Sequence, residues 1–286
     1  MLKILDGKVV RDKIMADLKK KISGFDIVPN LAIIKIGENL DSEIYVKRKI
    51  ELGQKIGANA FIVNFPRGKI TQDILLAEIK KLNEDESING IIIQHPLPAN
   101  LNWAEAVEKI APVKDVDGVC SVNIKNLLAN NDQGLVPATA KGVLSLLNYY
   151  KIPIKGKKVV VMGRSPLVGK PIATLMTNNG ATVTVCHSQT VNPEKETRGA
   201  DILIVAIGKA GLVGAEYVSP GQVVIDVGIN PVINSDGSRK IYGDVDFESV
   251  KVIVSAISPV PGGVGPMTVA SLFQNLVEAF ERQNVV

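Results

Sequence analysis

Short runs of β-branched residues alternate with helix-like segments from one end of the chain to the other, and this alternation constrains the fold more than any other feature. A strand followed by a helix and another strand closes most readily as a parallel pair with a crossover, so the chain reads as a parallel α/β protein. In the first half, strands are predicted over 31–37, 59–65 and 90–94, with helices over 6–22, 42–57, 71–83 and 103–110. The segment 112–119 carries Pro and Asp-Gly and reads as a loop. A helix over 139–151 leads into a second series, with strands over 157–163, 181–187, 201–208, 222–228 and 251–257. A loop over 258–266 and an amphipathic helix over 267–282 end the chain. With 286 residues, two domains are expected, and the boundary is placed near 138–150. The residues alone leave open which domain the last helix joins.

Composition excludes several classes. Hydrophobic residues make up 46% and charged residues 22%, which fits a globular protein rather than a disordered one. Every apolar run is broken by Lys, Asp or Gly well short of the roughly 18 residues a membrane span needs. Lys3 and Asp6 interrupt the start of the chain, so a signal peptide is not expected. The excess of 33 basic over 29 acidic residues is mild and carries no aromatic-interleaved basic run, so nucleic acid is not an expected partner. A site for a small anion stays open. Cys120, Cys186, His95 and His187 are scattered, so no metal site is expected, and two lone cysteines suit a reducing cytoplasm.

The predicted strand 157–163 runs into Gly163-Arg164-Ser165-Pro166-Leu167-Val168-Gly169 and then a helix. Gly163 lets the chain turn sharply, Gly169 permits close backbone approach, and the amides and dipole of the helix start would attract phosphate. The spacing differs from the usual Gly-x-Gly-x-x-Gly, and a plain βαβ unit would also account for it. The next strand adds information. An NAD enzyme usually carries an acid at its end to hold the ribose 2′-hydroxyl, whereas here it ends Cys186-His187-Ser188. With Arg164 and Ser165 in the turn, a 2′-phosphate is favoured, and hence NADP over NAD. His187 reads as a hydrogen-bonded strand-end histidine rather than a catalytic one.

A second signal lies in the predicted helix 42–57, for which Asp41 or Ser42 would be the N-cap. Plotted at about 100° per residue, Val46, Ile50, Leu52 and Ile56 share one arc with Tyr45, and Lys49 falls inside it. Lys47, Arg48, Glu51, Gln54 and Lys55 occupy the other side. A lysine on an apolar face must snorkel, pair, or lose basicity, and in the last case it becomes a proton-transfer group near neutral pH. Three loops stand ready to accompany it. Gln94 ends a predicted strand before His95-Pro96-Leu97-Pro98, Asp115 and Asp117 flank a turn at Gly118, and Pro261-Gly262-Gly263-Val264-Gly265-Pro266 permits close backbone approach. One aspartate is explained by a tight turn; two are explained less well.

Taken together, these segments resemble the bifunctional methylenetetrahydrofolate dehydrogenase/methenyltetrahydrofolate cyclohydrolase family over nearly the whole chain. The residues that carry the likeness are Ser42-x2-Tyr45-Val46-x2-Lys49, Gln94-x-Pro96-Leu97-Pro98, Lys114-Asp115-Val116-Asp117-Gly118, Gly163-Arg164-Ser165-x2-Val168-Gly169-Lys170-Pro171, Cys186-His187-Ser188 and Pro259 through Thr268. The resemblance implies two α/β domains around a cleft. One is a folate and catalytic domain, 1–138, joined by the C-terminal helix 267–286; the other is a Rossmann-like NADP-binding domain with a parallel sheet, 139–266. It implies oxidation of 5,10-methylenetetrahydrofolate by NADP+ and hydrolysis of the product to 10-formyltetrahydrofolate. Lys49 is then the catalytic lysine, with Gln94, Tyr45 and Asp117 in the same catalytic set. Tyr45, Gln94, Asp117, Pro261, Gly262 and Thr268 would meet the folate, while Gly163, Arg164, Ser165, Ser188 and Ile229 would line the NADP site. A cytoplasmic homodimer joined through the nucleotide domain is also implied.

The sequence departs from the family pattern at Ala138 and Ala140, where relatives read Cys and Pro, at Val119-Cys120 in place of an aromatic-His pair, and at His95 in place of an aliphatic residue. Two other readings compete: a different two-domain NADP dehydrogenase, and a nucleotide-binding regulator without turnover. The first needs an anion-binding Arg/Lys cluster in the first domain, and none accompanies the loops. The second has no use for a lysine on an apolar face.

Overall fold

The computed structural model describes residues 2–37, 40–66, 68, 70–233 and 239–284; the side chains of residues 40–42, 44, 45 and 233 lie outside the described set. In chain order the elements begin with β1 (Lys3–Ile4), α1 (Gly7–Ile22), β2 (Asn30–Ile36), α2 (Leu40–Ile56), β3 (Asn59–Phe65), α3 (Gln72–Glu84) and β4 (Gly90–Ile93). Then come α4 (Trp103–Glu108), α5 (Ser121–Leu128), α6 (Ala138–Tyr149), β5 (Lys158–Met162), α7 (Gly169–Asn178), β6 (Thr182–Cys186) and α8 (Pro193–Arg198). The chain ends with β7 (Ile202–Val205), β8 (Val223–Asp226), β9 (Asn230–Ile233), β10 (Arg239–Tyr242), α9 (Phe247–Val250), β11 (Ala256–Ile257) and α10 (Val264–Asn284).

The chain divides into two compact units, Lys13–Ala138 with Val269–Val286, and Met1–Asp12 with Thr139–Thr268. The sequence reading assigns residues 1–12 to the first domain. The structure assigns them to the other unit because β1 pairs in parallel with β11, Lys3 with Ala256 and Ile4 with Ile257.

In the first unit, β2 lies between β3 and β4 in a parallel three-stranded sheet. Successive side chains of a strand point to opposite faces, and β2 follows this residue by residue. Leu31 and Ile33 pack with Val46 and Ile56 of α2 and Phe273 and Leu276 of α10, whereas Ala32, Ile34 and Ile36 pack with Leu75, Ile79 and Leu82 of α3. The near-continuous apolar runs of β2 and β4 fit a sheet covered on both faces.

In the second unit, six parallel strands run in the order β1-β11-β8-β7-β5-β6. From β5 the chain goes first to β6 on one side and then to β7 on the other, so the order reverses at β5. Ligands of doubly wound sheets bind beyond the strand C-termini at such a reversal.

Several boundaries differ from the sequence reading. The predicted strand 251–257 survives only as Ala256–Ile257, because the helical turn capped by Asp246 continues past α9 and leaves Val252 78% exposed. Helix α2 starts at Leu40, so Asp41 and Ser42 fall inside it rather than capping it. Helix α10 begins at Val264 instead of 267; Pro266 is tolerated there because the first turn's amides have no helical partner. The short helices α5 and α8 and the antiparallel hairpin of β9 and β10 carry no strong periodicity and are absent from the sequence reading.

Candidate functional site

In the first unit, α2 presents the lysine. Val46 and Ile56 are buried, Ile50 and Leu52 pack partly against the same core, and Lys47, Arg48, Glu51, Gln54 and Lys55 are exposed, as the helical arc predicts. Lys49 stands between these classes, half-buried, and its Nζ donates to Gln94 Oε1 at 2.9 Å. Gln94 directly follows β4 and continues its ladder by donating its backbone N–H to Ile34 O at 2.9 Å. Its side-chain Nε2 donates to His95 O at 2.9 Å, which turns the amide so that the oxygen faces the lysine. Although Lys49 as a whole residue is only partly covered, the surroundings of its amine are crowded. Desolvation lowers its pKa below the ordinary lysine value, and the charge of Asp117 opposes that shift.

The two aspartates of the 114–118 loop do different work. Asp115 is buried, and its carboxylate accepts from Gly118 N at 3.1 Å, Cys120 N at 2.8 Å and Asn123 Nδ2 at 3.0 Å. It is therefore the residue that holds the turn. Gly118 has φ +72°, and a Cβ there would sit 2.7 Å from Leu135 O, so only glycine fits. Asp117 is left for another task. Burial raises its pKa, Lys49 opposes the rise and Asp115 adds to it. Lys114, quoted in the same motif, is spent on structure: its Nζ donates to the carbonyls of Leu82, Asn83 and Asp85 at the end of α3.

Two buried asparagines that the sequence reading misses complete this frame. Asn123 Oδ1 accepts from Leu135 N at 3.0 Å, and Asn275 Nδ2 donates to Val116 O at 2.9 Å and Val136 O at 2.8 Å. The signal for Asn275 was the adjacent amide pair Gln274-Asn275 inside the apolar run of α10. Tyr45 shares the helix with Lys49, but its side chain lies outside the described residues. His95 is exposed and packs its ring on Trp103 at 4.7 Å; desolvation lowers its pKa.

In the second unit, Gly163 follows β5 with φ +126°, and a Cβ there would lie 2.1 Å from Ala206 O beyond β7. A Cβ on Gly169 would lie 2.2 Å from Gly163 O. Both glycines thus serve close backbone approach at the point where strand order reverses. The amides at the start of α7 are not open, contrary to the simple expectation. Val168 N and Gly169 N both donate to Ser165 Oγ, at 3.3 and 3.2 Å. A hydroxyl that already accepts twice keeps its hydrogen to donate. Arg164 is exposed, and its Nη2 donates to the neutral amide oxygen of Gln189 at 3.2 Å. Ser188, one residue before Gln189, is exposed, and Ile229 is 46% exposed after β8. His187 accepts from Gln189 N at 3.2 Å through Nδ1 within its own turn, the structural role predicted for it.

Pro261, Gly262 and Thr268 belong to this second unit. Pro261 is exposed, Gly262 has φ +119° and its carbonyl accepts from Gly7 N at 2.8 Å, and Thr268 Oγ1 approaches Thr139 Oγ1 at 3.4 Å. Both cysteines are free and buried. Burial pushes the Cys120 thiol up to about 12 and also raises that of Cys186. Among the described residues, no group of three or more His, Cys, Asp or Glu is placed to hold a metal ion, and no helix is long and apolar enough to cross a membrane.

The glycine cradle tests the fit of a dinucleotide. Gly163 and Gly169 let the turn close tightly onto the chain's own backbone at the strand reversal, the end of β6 bears no acid, and Arg164 and Ser165 of that turn carry a guanidinium and a hydroxyl donor. These donors suit a 2′-phosphate. A parallel doubly wound sheet of this kind, in one chain with a desolvated lysine between an amide and a carboxylate, defines a nucleotide-dependent α/β enzyme.

Comparison with known proteins agrees. The catalytic-domain model of the tetrahydrofolate dehydrogenase/cyclohydrolase family matches residues 5–117, and the NAD(P)-binding-domain model of that family matches residues 137–284. A bifunctional protein FolD from Lactobacillus acidophilus is 46% identical over 287 residues, covering 99% of both chains. The crystal structure of the bifunctional methylenetetrahydrofolate dehydrogenase/cyclohydrolase FolD from Campylobacter jejuni superposes with a TM-score of 0.94 at 41% identity, covering 99% of both chains. That of the Trypanosoma brucei enzyme, complexed with NADP cofactor and inhibitor, gives 0.92 at 37% identity and covers 98% of both chains. The chain belongs to the tetrahydrofolate dehydrogenase/cyclohydrolase family.

Proposed function

We propose that Lys49, kept short of full basicity between Gln94 and Asp117, is the proton-transfer group of a two-step reaction on tetrahydrofolate. The chain is a bifunctional enzyme that oxidises 5,10-methylenetetrahydrofolate with NADP+ and hydrolyses the 5,10-methenyl product to 10-formyltetrahydrofolate. The single observation that carries the lysine's role is the 2.9 Å hydrogen bond from a desolvated Nζ to Gln94.

When bound, NADP+ supplies the hydride acceptor for the first step. The chain's part there is alignment. Gly163 and Gly169 let the chain turn tightly at the strand reversal, Ser165, Arg164 and Ser188 offer donors to phosphate, and Ile229 offers an apolar surface. No side-chain base is needed, because loss of hydride leaves a methenyl cation with nothing further to deprotonate.

The second step needs one. Water adds to the cationic methenyl carbon and gives its proton to Lys49 Nζ; the carbon–N5 bond then breaks, N5 takes a proton, and one proton leaves to solvent overall. A neutral amine has one lone pair and two hydrogens. Donation of one hydrogen to Gln94 Oε1 orients that lone pair, and a neutral base avoids repelling a cationic substrate. Asp117 restrains the fall in basicity and offers a buried carboxyl to the pterin's N–H groups. Tyr45, one turn before Lys49 on the same helix, is the residue assigned to pack on the folate.

Two copies associate through the nucleotide unit, a reading supported by the open β6 edge of its sheet, where Val185 is 38% exposed. The two buried, unpaired thiols support work in a reducing cytoplasm.

The test is a spectrophotometric assay of the purified chain with methylenetetrahydrofolate and each nucleotide, repeated with Lys49→Ala. NADP+ reduction by the wild type is expected, with cyclohydrolase activity abolished and NADP+ binding retained in the variant. Normal hydrolysis by Lys49→Ala would remove the lysine from the mechanism.

A further inference from the structure

We propose that Asp244 and Asp226 are positioning residues for the dinucleotide, fixing together the loops that leave the C-terminal ends of β7 and β8. Asp244 is wholly buried. Its Oδ2 accepts from Ile207 N at 2.7 Å and Gly208 N at 2.9 Å, and its Oδ1 from Lys209 N at 2.9 Å and Asn230 Nδ2 at 2.8 Å. Three successive amides after β7 thus converge on one carboxylate. Asp226, at the end of β8, holds the backbone that carries it: Oδ1 accepts from Asp244 N at 3.0 Å and Gly228 N at 2.9 Å, and Oδ2 from Val245 N at 3.0 Å.

Ile229 is consequently bracketed. Gly228 before it is held by Asp226, and Asn230 after it is held by Asp244, so the exposed isoleucine projects from a segment clamped on both sides. The loop Ile207–Lys209 begins one residue after Ala206, whose carbonyl is the atom that a side chain on Gly163 would strike. The carboxylates also occupy the space of two side chains. A Cβ on Gly243 would lie 1.8 Å from Asp226 Oδ2, and one on Gly228 would lie 2.4 Å from Asp244 Oδ1.

A frame made of buried carboxylates is a costly way to satisfy backbone amides, since neutral acceptors would do so without desolvating charge. The cost is visible at Asp226, which burial, with a contribution from Asp244, pushes up to about 6 against the pull of its three amide donors. All seven hydrogen bonds lie beyond the C-terminal ends of β7 and β8, on the side of the sheet where a doubly wound fold receives its ligand. The arrangement fixes that rim.

This inference rests on the function proposed above only in taking NADP+ as the ligand. The experiment compares the dissociation constant of NADP+, by calorimetry, in the wild-type chain, Asp244→Asn and Asn230→Ala, alongside cyclohydrolase turnover, which needs no nucleotide. Asp244→Asn turns one acceptor into a donor facing amide hydrogens. It is expected to weaken NADP+ binding at least about tenfold, with cyclohydrolase turnover within about twofold of the wild type. Asn230→Ala removes one donor and is expected to weaken binding about threefold, which keeps the inference testable if the aspartate variant does not fold. Unchanged binding in both variants, or an equal fall in binding and cyclohydrolase turnover, would overturn it. A wild-type chain that bound NADP+ but turned over no folate would count against the proposed function and leave this comparison of constants intact.

Discussion

The Nζ of Lys49 donates to Gln94 Oε1 at 2.9 Å, and Gln94 in turn donates to His95 O at 2.9 Å, so the orientation of the amine is set by a backbone carbonyl two steps away. Burial and the charge of Asp117 act on that amine in opposite directions. Its basicity is the balance of the two.

Removing one side of the balance has a defined sign. Asp117 raises the pKa of Lys49, so Asp117→Asn is expected to lower it further. If neutral Lys49 is the base, the alkaline-rising limb of the cyclohydrolase kcat profile lies below the ordinary lysine range in the wild type. It is expected to move to lower pH in the variant, even as the KM for folate rises. A limb that moved upward, or stayed in place, would show that some other group titrates.

Arg164 stands beside a strand end without an acid, and it donates to the neutral amide of Gln189. Arg164→Ala is expected to weaken NADP+ binding about tenfold and NAD+ binding about twofold or less, because only the former has a 2′-phosphate to lose. The effect on NADP+ should shrink at high salt. Equal losses for both nucleotides, measured by KM in the dehydrogenase assay, would place the guanidinium elsewhere.

Gly163 combines φ +126° with a would-be Cβ 2.1 Å from Ala206 O, so strain and collision coincide. Gly163→Ala is expected to destabilise the chain by about 2 kcal/mol or more in chemical denaturation and to lose measurable NADP+ binding. An alanine variant with wild-type stability and affinity would contradict the closeness of β5 and β7 at the strand reversal.

Much of this frame is legible in the sequence itself. The period-2 partition of β2 and the helical arc of α2 are carried by neighbours in sequence, so periodicity reveals them, and the arc alone singled out Lys49. The division of labour between Asp115 and Asp117 could not be found this way. Whether Asp115 or Asp117 held the turn depended on Gly118, Cys120 and Asn123 folding back on Asp115, which is a tertiary matter. Asp226 and Asp244 were invisible for a similar reason, lying 18 residues apart across a hairpin whose strands have no apolar alternation. The segment 251–257 misled because its β-branched residues mark a turn with Val252 turned outward, not a buried strand.

The two thiols have a practical consequence. Electrophilic probes and oxidants attack thiolates, and a buried thiol whose proton is held well past neutrality presents almost none. A single new surface cysteine introduced into this protein would therefore take a fluorophore or spin label on its own, with Cys120 and Cys186 left in place.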